Sequence, residues 1–202
     1  GVGNGIFYFL PSEKERIRGR IVDSICVLSV MGFVFSLFIL FGGNQSLAQR
    51  FDNPRVAELL LWMIPYSIFM VPASHHAAVL VAQNRAVLSA SYSTGIQLIV
   101  GISTIIPLLL WKDEKYALVG NVIAACITAV CSIVLMVRVS PKGRAAPSLA
   151  AMKELVRYSF PLGLATMVAT ISLNLDKILV GSLLGPEEFA VYSFGAREIP
   201  LI

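Results

Sequence analysis

The sequence predicts an all-α, polytopic transmembrane helix bundle, because of its apolar runs, its low charge content and the placement of its charges. Six long apolar runs follow one another along the 202 residues, and each of the first five is at least 21 residues long. A helix rises about 1.5 Å per residue, so roughly 20 residues cross a bilayer core about 30 Å thick. Charged residues make up only 14% of the chain, well below the roughly 25% that is usual in soluble proteins.

Short connectors separate the runs. The runs cover residues 21–41, 57–82, 86–111, 116–137, 158–184 and 189–202. The chain opens with "GVGNGIFYFLP", which is typical of the end of an earlier helix, and it stops inside the sixth run. We therefore expect a piece of a larger protein, incomplete at both ends.

Alternate connectors together carry most of the lysine and arginine residues. The rich connectors carry ten of them: Lys14, Arg16, Arg18, Arg20, Arg85, Arg138, Lys142, Arg144, Lys153 and Arg157. The intervening connectors carry four: Arg50, Arg55, Lys112 and Lys115. Cytoplasmic loops of membrane proteins carry the excess of basic residues, so we expect residues 11–20, 83–86 and 138–157 to be cytoplasmic, in a multi-pass protein of the cell's inner membrane. No nucleic-acid-binding pattern accompanies the basic residues, and a nucleic-acid partner is not expected.

The longest connector, residues 138–157, divides the chain into two parts. It begins with Pro and Gly, and at its end apolar residues recur at helical spacing with basic residues between them. Such a pattern favours an amphipathic helix on the inner membrane surface. Residues 1–137 then form one lobe, and residues 158–202 begin a second.

Prolines interrupt the apolar runs at four positions. A proline removes one backbone hydrogen bond and bends a helix, and transporters use such bends as hinges or cavity linings. The hinge candidates are Pro65, Pro72, Pro107 and Pro161.

Charged residues inside the last two runs give the sharpest functional signal. Asp176 and Lys177 interrupt the fifth run, Arg197 and Glu198 interrupt the sixth, and the turn sequence "GPEE" (185–188) lies between. In an antiparallel hairpin, Asp176 and Arg197 would lie about ten residues from the tip, at the same depth of roughly 15 Å. Intramembrane charges normally pair with one another or face a water-filled cavity. The four residues are therefore candidates either for a structural lock or for a cavity that accepts an anionic head group.

Weaker polar candidates lie elsewhere in the runs. Asn174 adjoins the charged pair, and weak cavity-lining candidates are His75, His76, Gln97 and Asn121. The sequence shows no nucleophile–base arrangement, no phosphate-binding loop and no metal-ligand spacing. An enzyme is therefore not expected, nor is a metal or a cofactor.

Two segments carry a family resemblance. The first is "LVRYSFPLGLATMVATISLNLDKILVGSLLGPEEFAVYSFGAREI" (155–199), and the second is "GIFYFLPSEKERIRGR" (5–20). Both are similar to the polysaccharide flippases of the multidrug, oligosaccharidyl-lipid and polysaccharide exporter superfamily. The resemblance implies an exporter-type fold of two lobes around a cavity that opens alternately to either side, with this chain covering about helix two to helix eight.

The same resemblance implies a substrate and a function. The expected substrate is a polyprenyl-diphosphate-linked oligosaccharide, as in lipopolysaccharide or other polysaccharide biosynthesis, moved from the cytoplasmic to the outer leaflet. Arg197 and Lys177 stand at plausible positions for binding its diphosphate. Coupling to H⁺ or Na⁺ stays open, and polysaccharide assembly proteins are candidate partners.

Other functions remain open at this point. Within the superfamily, a cation-coupled multidrug exporter or a lipid II flippase would share the fold. From a different class, a membrane-embedded glycan polymerase or ligase would act on the same lipid carrier, but the short outer connectors leave little room for a catalytic loop. A non-transporting scaffold would use the charged hairpin only as a lock.

Overall fold

The computed structural model of the chain is a bundle of α-helices. It describes residues 2–12, 16–50, 53–141, 143, 146–183 and 185–195, and within these ranges there is no strand. The helices are α1 (Val2–Ser12), α2 (Ile17–Phe38), a π-helical segment (Ile39–Gly43), α3 (Asn44–Arg50), α4 (Arg55–Leu61), α5 (Met63–Ala73), α6 (His76–Ala82), α7 (Ala86–Trp111), α8 (Glu114–Val139), α9 (Leu149–Leu173), α10 (Leu175–Leu183) and α11 (Pro186–Gly195).

Five helical segments of the described chain are long and apolar enough to cross a membrane. They are Ile17–Arg50, Met63–Ala82, Ala86–Trp111, Glu114–Val139 and Leu149–Leu173. The prediction of an all-α polytopic bundle is thus confirmed. Half of the sixth run, residues 196–202, lies outside the described residues.

One helix bends just after its predicted run, and another predicted run is broken. The helix that contains the first run, 21–41, bends at Gly42, whose φ of 112° is accessible to glycine but strained for other residues. The second is divided at Trp62 and again at Ser74 and His75. The ring of Pro65 collides with the carbonyl four residues earlier in a regular helix, which accounts for the first break. At the second break the Ser74 hydroxyl donates to the Val71 carbonyl over 2.7 Å and competes with the helical hydrogen bonds.

Helices α7 and α8 are continuous over 26 residues each and pack closely. Gly120 of α8 makes the close approach, because a Cβ atom there would overlap the carbonyl oxygen of Ser103 on α7. The connector between the helices turns through Lys112, whose φ is 52°. Asp113 then caps α8 by accepting a hydrogen bond from the backbone N–H of Lys115.

The linker and the fifth run are joined differently from the pattern expected. Helix α9 already begins at Leu149, so the segment predicted to lie flat on the membrane surface is continuous with the span. The helix ends at Leu173, and the side-chain amide of the next residue, Asn174, donates to the Thr170 carbonyl over 2.8 Å. Helices α10 and α11 follow and pack against each other as a hairpin.

The main cluster of buried apolar side chains joins helices that are far apart in the sequence. The core joins α1, α2, α6, α8 and α9 through Val2, Ile6, Phe9, Leu10, Ile21, Val27, Leu28, Val79, Met136 and Leu155. Gly5 of α1 lets α9 approach, since a Cβ there would lie 2.6 Å from Ser159 Oγ. The first turns of α9 are thereby fixed against α1 and α2.

Connectors predicted to share a side of the membrane meet in the structure. Arg55 pairs with Glu114 over 3.0 Å and with Asp113 over 3.7 Å, which joins two connectors assigned to the outer side. Arg20 reaches Glu154 over 2.6 Å and joins two segments assigned to the inner side. The orientation of the bundle in the membrane stays a prediction.

The cap of α8 leads to a pH prediction. The N–H of Lys115 hydrogen-bonds the Asp113 carboxylate, which lowers the pKa of Asp113, and the charges of Lys115 and Arg55 add to the effect. A lowered folded-state pKa stabilises the fold above the unfolded pKa, and this stabilisation is lost as the pH falls below about 4. We expect Asp113→Asn, which still caps, to flatten the acid side of a plot of melting temperature against pH. An unchanged slope at low pH would contradict this role of Asp113.

Candidate functional site

The charged hairpin predicted from the sequence is partly described. Asp176 is exposed in the first turn of α10, and its carboxylate accepts a 2.6 Å hydrogen bond from the Tyr192 hydroxyl of α11. Lys177 is half-buried beside it. Arg197 and Glu198 lie outside the described residues. The structure therefore joins Asp176 to α11 through a tyrosine, and a pairing of Asp176 with Arg197 stays a prediction.

The two histidines are buried among helices. The Ser24 hydroxyl donates to the Ile21 carbonyl over 2.7 Å, so Nε2 of His75 is the donor in its 3.0 Å contact with Ser24 Oγ. Nδ1 of His76 donates to the Ala73 carbonyl over 2.9 Å, which leaves Nε2 to accept from Ser93 Oγ at 3.3 Å. Both imidazole rings thus hydrogen-bond to neighbouring helical segments of the protein.

The two polar candidates of α7 and α8 differ in their surroundings. Asn121 accepts a 2.9 Å hydrogen bond from the Thr104 hydroxyl, whereas Gln97 is exposed on α7. Asn121 also borders a cavity of about 310 Å³ together with Trp62, Met63, Tyr66, Val100, Thr104 and Leu118. The side-chain amide of Asn121 therefore lies in a cavity whose wall includes the aromatic rings of Trp62 and Tyr66.

The four prolines fall into two groups. Pro65 and Pro72 lie in α5, close to the breaks at its two ends. Pro107 and Pro161 lie inside α7 and α9, which remain continuous helices. A hinge role for any of them stays a prediction.

A polar cluster that the sequence reasoning did not single out as a site connects α2 to the start of α9. We call Arg20, Asp23, Ser148, Ala151 and Glu154 the Arg20 cluster. The Arg20 guanidinium donates to the Ala151 carbonyl over 3.1 Å and to Glu154 Oε2 over 2.6 Å. Asp23 accepts from the backbone N–H of Ser148 over 2.8 Å. Arg20 and Asp23 are 4% and 0% exposed, so both charges depend on these contacts.

Two neighbours extend this cluster. The Arg20 guanidinium lies 4.5 Å from the centroid of the Phe9 ring on α1, within the range of a cation–π contact. The second carboxylate oxygen of Asp23 lies 3.5 Å from the guanidinium of Arg16. The cluster thus joins α1, α2 and α9 at one end of the bundle.

A groove opens beside the Arg20 cluster, between α1 and α9. Its volume is about 540 Å³, and it is lined by Tyr8, Phe9, Glu154, Arg157, Tyr158, Pro161 and Leu162. The rings of Tyr8 and Tyr158 stack with centroids 4.8 Å apart and planes 16° apart. The groove combines an aromatic wall with one cationic and one anionic side chain.

The sequence held a signal for part of this arrangement. Arg20 and Asp23 are three residues apart and so share one face of a helix. Their partners lie 125 to 134 residues further along the chain, and no spacing rule reaches that far. Among the residues that the structure describes, no group of three or more His, Cys, Asp or Glu side chains is arranged to hold a metal ion.

The comparison with known families gives one result. A family model described as "Polysaccharide biosynthesis protein" matches residues 11–199. Searches among curated proteins and among solved structures returned no match. The family match covers nearly the whole chain. Of the two segments that carry the resemblance noted above, it includes all of 155–199 and residues 11–20 of 5–20.

Proposed function

The chain belongs to the polysaccharide biosynthesis protein family, the family of polysaccharide and oligosaccharide exporters, and on that premise we propose that it is part of a flippase. It is a multi-pass membrane protein with five apolar spans in its described part. The proposed substrate is a polyprenyl-diphosphate-linked oligosaccharide, moved from the cytoplasmic to the outer leaflet. The observation that carries the proposal is the family match over residues 11–199 of a chain with this helical architecture.

The physical task explains why a helix bundle suits this function. A glycan and its diphosphate carry many polar groups, and each would lose its hydrogen bonds to water in the bilayer core. A cavity lined by polar side chains replaces those hydrogen bonds, while the polyprenyl tail stays among the lipids. Access that alternates between the two sides then moves the head group without opening a continuous pore.

In this proposal the charged hairpin faces the cavity. Lys177, half-buried on α10, would bind the diphosphate together with Arg197, and Asp176 and Glu198 would balance their charge. Asn174, at the break between α9 and α10, would line the same passage. An H⁺ or Na⁺ gradient would bias the cycle, and polysaccharide assembly proteins would supply the substrate and use the product.

The alternatives differ from a flippase in the cavity residues that they require and in the product that they form. A multidrug exporter for cationic compounds would favour acidic and aromatic cavity walls, whereas the candidates here include the cations Lys177 and Arg197. A polymerase or ligase would change the length or the attachment of the glycan rather than its side of the membrane. A flippase and a polymerase or ligase can therefore be distinguished by one experiment that measures on which side of the membrane the glycan lies.

The experiment is to measure the sidedness of lipid-linked oligosaccharide in cells depleted of the full-length protein that contains this chain. We expect the intermediate to accumulate on the cytoplasmic leaflet, and restoring the protein should reverse this. Restoring it with Lys177→Gln should leave most of the intermediate inside, while Lys153→Gln, an exposed lysine of α9, should act as the wild type. Normal sidedness after depletion would contradict the proposed function.

A further inference from the structure

The groove between α1 and α9 combines three kinds of surface along about two turns of helix. Arg157 and Glu154 lie at one end, the stacked Tyr8 and Tyr158 form the wall, and Pro161 and Leu162 continue the lining. One helical turn separates Arg157 from Pro161, about 5.4 Å along the axis. The lining therefore changes from charged to aromatic to apolar in one direction.

This gradient coincides with the point at which α9 becomes apolar. Residues 158–175, which follow Arg157 directly, carry no charged side chain. Arg157 is exposed and lies at the end of α9 that carries the excess of basic residues. Basic side chains at this level are placed to meet lipid head groups, and tyrosines favour the same depth. The groove therefore opens where a lipid head group would lie.

The charges of the groove favour an anion. Glu154 is neutralised by the buried Arg20 over 2.6 Å. In the described part of the chain, no carboxylate lies within 4 Å of the Arg157 guanidinium. Arg157 is thus available to bind a phosphate, with the fork of donors that suits phosphate oxygens.

The aromatic wall favours a sugar next to that phosphate. Tyr8 is 57% exposed although its ring stacks on Tyr158. The electron-rich face of such a ring attracts the slightly positive C–H groups of a sugar ring, and the phenol group adds a hydrogen-bonding partner. A volume of about 540 Å³ is within the usual range for small-molecule sites, roughly 300–1,000 Å³.

We infer that this groove is a loading site for a lipid-linked sugar phosphate, with the phosphate on Arg157, the first sugar against Tyr8 and Tyr158, and the lipid chain leaving past Pro161 and Leu162. The inference rests on the proposed function for the identity of the ligand. It adds a binding site on α1 and α9 that is separate from the charged hairpin of α10 and α11.

The test measures lipid binding by native mass spectrometry of the purified full-length protein in detergent. The probes are a polyprenyl-diphosphate-linked sugar, the same polyprenyl diphosphate without the sugar, and phosphatidylglycerol. The variants are Arg157→Gln, Tyr8→Leu and the matched control Lys153→Gln, which removes an exposed cation of the same helix outside the groove. Melting temperatures establish that each variant is folded, and Arg157→Met, which also removes the charge, replaces Arg157→Gln if the latter does not fold.

We expect Arg157→Gln to weaken binding of both polyprenyl diphosphates by about tenfold, as the loss of one charge-assisted contact implies. Tyr8→Leu should weaken only the sugar-bearing lipid, and Lys153→Gln should change neither. Equal weakening of phosphatidylglycerol by Arg157→Gln would overturn the inference, since the groove would then hold ordinary membrane lipid. Unchanged binding in Arg157→Gln would overturn it as well.

Failure of this inference is distinguishable from failure of the proposed function. If the groove variants bind and transport normally while depletion still traps the intermediate inside, only the loading site is wrong. If depletion leaves sidedness normal, the proposed function is wrong whatever the groove binds.

Discussion

Replacing Arg20 with methionine is expected to destabilise the protein by about 2–3 kcal/mol. The change removes the hydrogen bonds to Ala151 and Glu154 and the contact with the Phe9 ring. Breaking a fully buried ion pair costs roughly 3–5 kcal/mol. The cost should be lower here because Glu154 is 56% exposed and can be hydrated again. The measurement is the free energy of unfolding in detergent by reversible denaturant titration.

A double-mutant cycle separates the ion pair from a general loss of packing. If Arg20 and Glu154 interact, the cost of Arg20→Met combined with Glu154→Met should fall short of the sum of the single costs by about 1 kcal/mol or more. Lys153→Met, which removes an exposed cation one residue before Glu154, should change stability by less than about 0.5 kcal/mol. Single costs that add within about 0.5 kcal/mol would show that the 2.6 Å contact does not stabilise the bundle.

Replacing Gly120 with valine is the second change with a large expected effect. A Cβ at this position would overlap the Ser103 carbonyl oxygen and lie 3.2 Å from Cγ of Pro107. Neither neighbour can relieve the overlap by a change of side-chain rotamer, because one is helix backbone and the other is a proline ring. Helices α7 and α8 must therefore separate, which weakens the Thr104–Asn121 hydrogen bond. We expect a loss of about 3 kcal/mol or more, at the upper end of overpacking effects.

The matched control is Gly101→Ala on the facing helix. Apart from its chain neighbours and the backbone of its own helix turn, no heavy atom of the described chain lies within 4 Å of a Cβ built at Gly101. Alanine is the better helix former by up to about 1 kcal/mol, so this variant should be neutral or slightly more stable. Both variants are compared by their melting temperature and by their yield as monodisperse protein. A Gly120→Val protein as stable as the wild type would contradict the close α7–α8 packing.

The fold class follows from the sequence because bilayer thickness fixes the length of an apolar helix. The runs 86–111 and 116–137 match α7 and α8 closely, since both are long, uninterrupted and bounded by charged or turn residues. The run 57–82 matches less well. Its hydropathy is continuous, but the ring of Pro65 interrupts the regular helix and the Ser74 hydroxyl competes for a backbone carbonyl, so the run forms three helices instead of one.

The site was less accessible to sequence reasoning, for a physical reason. Asp176 stands out in an apolar run, and local spacing predicted a hairpin partner, but the partner in the described residues is the tyrosine at position 192. The Arg20 cluster and the Tyr8–Tyr158 stack depend on how α9 returns to α1 and α2. Contacts of that kind are decided by tertiary packing, and helical periodicity does not encode them.

The most direct test of the flippase proposal is transport by the purified full-length protein in sealed vesicles. A fluorescent polyprenyl-diphosphate oligosaccharide is placed in both leaflets, and a membrane-impermeant glycosidase reports the fraction that becomes accessible from outside. We predict that vesicles containing the protein expose nearly all of the labelled glycan, whereas protein-free vesicles expose only about half of it, the share in the outer leaflet. Accessible fractions that are the same with and without the protein would contradict the proposal.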